Sequence, residues 1–125
     1  MTIEGEGLRV VEYVREDGTI PYGRWFRDLD AQAAAKVATA VLRLEFGNLS
    51  RVKWIGGIGE YRIDWGPGYR IYLGRDGEAL LVLLGGGTKR RQQADIARAN
   101  ALWAEYKARK AAAESKSEWR RDRWC

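Results

Sequence analysis

The chain has 125 residues, 46% of them apolar, a formal net charge of +5, one cysteine and no histidine. Without histidine there is no Ser-His-Asp triad, no Cys-His nucleophile pair and no imidazole base, and one cysteine builds neither a disulfide within the chain nor a Cys-rich zinc site. Catalysis, where it occurs, falls to carboxylates, tyrosine, lysine or arginine.

The length suits one small domain, and six Trp and six Tyr supply large core anchors. No apolar run approaches the ~18 to 20 residues of a membrane span. The start, MTIEGEGLRV, carries acidic residues and no apolar block, unlike a signal peptide. A cytoplasmic protein without membrane contact is the expectation, with Cys125 a free thiol. The charge is uneven: residues 1–87 carry 11 basic and 12 acidic side chains, residues 88–125 carry 11 and 5. An excess confined to the last third suits a polyanion such as nucleic acid.

Residues 1–7, with two glycines and two glutamates, are expected to be flexible. Val10, Val11, Tyr13 and Val14 make the stretch from Leu8 to Arg15 a predicted strand, closed by the turn signal Glu16-Asp17-Gly18. Pro21 opens a short helix with Tyr22, Trp25, Phe26 and Leu29 on its apolar side. Asp30 is a predicted N-cap for a second helix with Val37, Val41 and Leu44 along one face and Gly47 just past its end. Residues 48–59 read as a basic, Gly-rich loop containing Arg51 and Lys53.

From Glu60 to Trp65 the side chains alternate: Tyr61, Ile63 and Trp65 on one face, Glu60, Arg62 and Asp64 on the other. Beyond Gly66-Pro67-Gly68, Tyr69, Ile71 and Leu73 oppose Arg70 and Tyr72. After the hairpin signal Asp76-Gly77, the apolar run from Ala79 to Leu84 reads as a central strand covered on both faces. Short connections make these strands an antiparallel meander. Past Gly85-Gly86-Gly87, Ile96, Ala99, Trp103 and Tyr106 mark a helix from about Thr88 to about Lys110. The order β-α-α-β-β-β-α implies an α+β fold, helices on one small antiparallel sheet, over residues 8–110. Residues 111–125 read as a basic, unstructured tail.

Two clusters carry possible chemistry. Lys89, Arg90 and Arg91 place three cations in the first turn of the last predicted helix, where the macrodipole disfavours them and free backbone N–H groups suit an anion. Arg62, Asp64, Arg70 and Tyr72 share a strand face, about 5 Å apart across neighbouring strands, either as a phosphate-holding surface or as a salt bridge between Arg70 and Asp64. The glycines at 56, 57, 59 and 85–87 match no phosphate loop and read as turns and hinges. The carboxylates show no metal-ligand spacing, and no cofactor or metal is expected.

The run GEYRIDWGPGYRIYLGRDGEALLVLLGGGTKRRQQADIARANALWAEYK resembles the RelE/ParE superfamily of type II toxins, in its HigB-like, phage-related branch of addiction-module killer proteins. RIDWGPGYRIY at 62–72 and GGTKRRQQADI at 86–96 carry the likeness; DGTIPYGRWFRDLD and LRLEFGNLSRVKWIGG also fit. The resemblance implies a RelE-like toxin neutralised by a helix-turn-helix antitoxin, through which alone it meets operator DNA. It implies metal-independent mRNA cleavage at the ribosome; ParE-like inhibition of DNA gyrase and an inactive toxin-derived binding module are the alternatives. By likeness, Arg62, Arg70 and Lys89 stabilise the transition-state phosphate, and Arg51, Lys53, Arg90 and Arg91 join them in holding RNA. Asp64, Asp95 and Tyr72 are the candidate bases. Where RelE toxins have a tyrosine shortly after the last-strand cations, this chain reads Ala94-Asp95-Ile96, and the histidine of other cleaving relatives is absent.

Overall fold

The computed structural model describes residues 8–124. Strand β1 (Arg9–Glu12) leads to helices α1 (Pro21–Arg27) and α2 (Ala31–Glu45). Strands β2 (Val52–Ile55), β3 (Ile58–Ile63), β4 (Tyr69–Asp76) and β5 (Leu80–Thr88) follow, then a 3-10 turn (Lys89–Arg91) and helix α3 (Gln92–Trp124). The fold is α+β.

Local chemistry sets the helix ends as predicted. Pro21 stands in the first turn of α1. The Asp30 carboxylate accepts from the Ala33 N–H at 2.8 Å, capping α2. At the other end Gly47 takes φ +86°. Its N–H reaches the Leu44 carbonyl at 2.8 Å, and that of Asn48 reaches Arg43 at 3.0 Å. This pairing satisfies the last carbonyls of α2 and needs a left-handed residue, which glycine adopts without strain.

The sheet has five strands in the order β1-β5-β4-β3-β2. β2 to β5 form the antiparallel meander, but β1 runs parallel to β5, with Val10 opposite Leu81, so the sheet is mixed. The Gly-rich loop predicted over 48–59 contains a strand, β2, paired with β3 from Val52 opposite Tyr61 to Ile55 opposite Ile58. Its four residues lie between glycine- and asparagine-marked turns, too short for alternation to register.

The helices cover both faces of the sheet. Tyr22, Val37, Ala40 and Leu44 from α1 and α2 pack on Tyr61, Ile63, Ile71, Leu73, Leu81 and Leu83. Ala99, Leu102 and Trp103 from α3 pack on the other face, over Ile58, Tyr72, Val82 and Leu84. The apolar run of β5 therefore has no solvent-facing side, as its pattern predicts. Helix α3 continues through Trp124, beyond the stop predicted at Lys110; its later turns are rich in Ala, Glu, Lys and Arg, which favour helix without needing an apolar stripe. The expectation for residues 1–7 falls outside the described residues, as do Cys125 and the side chains from 117 onward. Among the described residues no helix is long and apolar enough to cross a membrane.

Candidate functional site

Strand alternation sends Glu60, Arg62, Arg70 and Tyr72 to the face that α3 covers. Their rows run straight across the sheet. Arg62 lies opposite Arg70, which lies opposite Gly87; Lys53 lies opposite Glu60, which lies opposite Tyr72. The start of α3 closes over these rows and brings Gln92 and Asp95 to them.

The hub is Glu60, fully buried at 0% exposure. Arg62 Nε donates to its Oε1 at 3.0 Å. The Tyr72 hydroxyl and Gln92 Nε2 donate to its Oε2 at 3.1 and 2.7 Å. Arg70 Nε stands 3.8 Å from the same oxygen. Burial pushes the Glu60 carboxyl up, but the hydrogen bonds from Arg62, Gln92 and Tyr72 outweigh it and hold the group below the usual carboxylate range. Tyr72 moves the other way: burial, then the Glu60 charge and hydrogen bond, push its hydroxyl well above the usual tyrosine value.

Arg70 is 4% exposed. Its Nη1 donates to the Gly68 and Tyr69 carbonyls at 3.2 and 3.5 Å, while its buried Nε has no hydrogen-bond partner. Lys89 is adjacent: its N–H donates to the Gly68 carbonyl at 2.8 Å, and Gly68 lies against both Arg70 Nη1 and Lys89 Cβ. Two cations, Arg62 and Arg70, thus pair with one carboxylate.

Two glycines of β5, Gly86 and Gly87, are sites of close approach, not the hinges predicted. A Cβ at Gly86 would stand 2.4 Å from the Trp25 ring, and one at Gly87 would collide with the Asp95 carboxylate. Asp95, buried at 7% exposure, therefore occupies the place a strand side chain would take beside Arg70. A cleft of about 530 Å³ opens here between α1 and the start of α3, its walls including Arg24, Trp25, Tyr72, Asp95 and Arg98.

Several expectations change. Lys89, Arg90 and Arg91 are exposed and form the 3-10 turn before α3, not its first turn. The acidic residue in that first turn is Asp95, which suits the positive end of the dipole. The first turn of α3 thus carries an acidic side chain where three cations were predicted. Arg70 pairs with Glu60, not with Asp64. Asp64 is exposed and lines a different pocket, with Arg51, on the α2 side. Lys53 is exposed on β2, across from Glu60. Sequence reasoning missed Glu60 and Gln92 as site residues. The available signal was that Glu60 shares a strand face with Arg62.

No family model matches the chain, and no solved structure matches it. A protein of Haemophilus influenzae (strain KW20 / Rd), described as "Uncharacterized protein", is 40% identical over 89 residues, 70% of this chain and 90% of that protein.

Proposed function

The chain belongs to the same family as that Haemophilus influenzae protein, and for it we propose an RNA-directed activity: cleavage of mRNA at the ribosome, as the toxin of a type II toxin–antitoxin pair. The observation that supports this most is Arg70. A buried guanidinium is fixed by the Gly68 and Tyr69 carbonyls and by its Nε facing Glu60 at 3.8 Å. Arg62 and Lys89 flank it. A cation held in place suits the charge that builds on phosphoryl oxygens in a transition state.

The cleavage proposed is a transesterification. The ribose 2′-oxygen attacks the adjacent phosphorus, its proton passes to the Asp95 carboxylate, and the bond to the 5′-oxygen breaks. That oxygen takes a proton from solvent, leaving a 2′,3′-cyclic phosphate and a 5′-hydroxyl. Asp95 is favoured as base by its place beside Arg70 and on the cleft. Tyr72 is a poor base because its raised hydroxyl already donates to Glu60, and Asp64 lies elsewhere. Glu60, saturated with donors, is a positioning residue. The partners proposed are mRNA on the ribosome and a helix-turn-helix antitoxin that covers the cationic face.

Primer extension on mRNA in a cell-free translation mixture tests this. Codon-phased cuts that fall at least roughly 100-fold with Arg70→Ala support it. Intact mRNA overturns it; inhibited DNA supercoiling in the same mixture then assigns the gyrase alternative, and no effect on either assigns a binding module.

A further inference from the structure

A second cationic pocket lies on the α2 side of β3 and meets the Glu60 cluster only at Arg62. β2 stops pairing at Val52–Tyr61, so β3 from Arg62 onward has a free edge. A pocket of about 280 Å³ opens there against α2. Lys36 and Arg43, two helical turns apart on α2, line it together with Arg51, Arg62 and a single carboxylate, Asp64. Among the described residues neither Lys36, Arg43 nor Arg51 forms an ion pair. Lys36 lies over the Trp65 ring at 5.6 Å, and Arg62 uses its Nε on Glu60.

Tyr61 also lines this pocket. It is 2% exposed, and its hydroxyl is buried with no hydrogen-bond partner. A buried donor left unpaired is destabilising, and such groups are rare unless a ligand or water completes them. Three cations outside any ion pair (Lys36, Arg43 and Arg51) and a spare buried hydroxyl, against the single carboxylate Asp64, form a donor set for an oxyanion. Arginine and lysine in this number suit a phosphate better than a carboxylate, which one bidentate arginine would satisfy.

We propose that this α2–β3 pocket binds a phosphate group, with the Tyr61 hydroxyl as its buried donor and Arg43 and Arg51 as its principal cations. The inference is independent of the cleavage reaction. It names phosphate chemistry, whether from inorganic phosphate or from a nucleic-acid backbone passing the free edge of β3.

The test uses the full chain and inorganic phosphate, followed by calorimetry and by the rise in thermal midpoint. Tyr61→Phe keeps the ring and removes only the hydroxyl. It should weaken phosphate binding roughly 10- to 100-fold, the loss of a hydrogen bond to a charged group. Without phosphate its midpoint should equal or exceed that of the parent chain, because no native partner is lost. Arg43→Gln should weaken binding similarly, and Lys110→Ala, at an exposed pair that does not line this pocket, should leave it unchanged. A short RNA that displaces phosphate from the parent chain, with affinity reduced by Tyr61→Phe, identifies the backbone as the source; phosphate bound without such competition identifies the free anion. Equal phosphate binding by the parent chain and Tyr61→Phe overturns the proposal, as does no binding at millimolar phosphate.

Discussion

Helix α3 is tied to the sheet by polar groups at both ends of its packed stretch, and the two ends use charge differently. At the far end, Glu105 accepts from the Tyr13 hydroxyl and twice from Arg15, whose Nη2 and Nε stand at 2.9 and 3.1 Å, while Arg109 reaches the Tyr13 hydroxyl at 3.2 Å and the Val14 carbonyl at 2.9 Å. Nearby, Asp76 accepts from the Tyr106 hydroxyl, and from Lys110 Nζ at 2.7 Å. These cations have partners, and they are solvent-facing. At the near end, Glu60 and Arg70 are both buried, with Arg70 Nε 3.8 Å from the carboxylate, while Arg62 hydrogen-bonds Glu60 from a partly exposed position. Matched charge in water contributes a modest tether. A buried pair has been desolvated, so removing either partner strands the other.

The contrast breaks most sharply at Glu60. Glu60→Ala strands the buried Arg70 and should destabilise the fold by about 3 to 5 kcal/mol, read as a lower denaturant midpoint; a loss no larger than that from an exposed pair would erase the distinction between the ends. Next comes Gly87→Ala. Its Cβ displaces the Asp95 carboxylate, so a stability loss of about 1 to 3 kcal/mol is expected together with loss of the proposed cleavage. Full activity in that variant would remove Asp95 from the mechanism.

A pH series sharpens the comparison further. Glu60, Asp76 and Glu105 are all held below the usual carboxylate range, Asp76 chiefly by Lys110 and Glu105 chiefly by Arg15. The unfolded chain therefore binds protons that the folded chain does not. Stability should be fully present above about pH 5 and fall as pH drops through the folded values. Glu60→Gln should flatten part of that slope, followed as thermal midpoint against pH; an unchanged slope would show that the far end alone carries it. The smallest effect is expected for Lys110→Ala, whose partner is on the surface, with a thermal midpoint close to that of the parent chain.

Much of the frame was legible in the residues. Asp30 and Gly47 marked the ends of α2 because caps are local chemistry. The alternation from Glu60 to Ile63 and from Tyr69 to Leu73 assigned the side chains of β3 and β4 to their faces, since a strand has only two; Asp64, placed by the same pattern beside Arg62, lies past the end of β3 and lines the α2-side pocket instead. From those faces Arg62, Arg70 and Tyr72 were identifiable as one group. Less legible were β2, hidden by its shortness, and Glu60, which looks like an ordinary surface carboxylate until something covers it.

What the sequence by itself determined is the succession of the main elements, the caps of α2 and the faces of β3 and β4, because these depend on neighbours within a few residues. Only the tertiary structure decided the rest. The parallel pairing of β1 with β5 joins residues some 70 positions apart, and no local signal encodes it. The placement of α3 on the face opposite α1 and α2 turned Glu60 from an exposed acid into a buried hub, and seated Asp95 over Gly87 beside Arg70. Burial sets the strength of a charge and the cost of leaving it unpaired, and burial is a property of the packed chain.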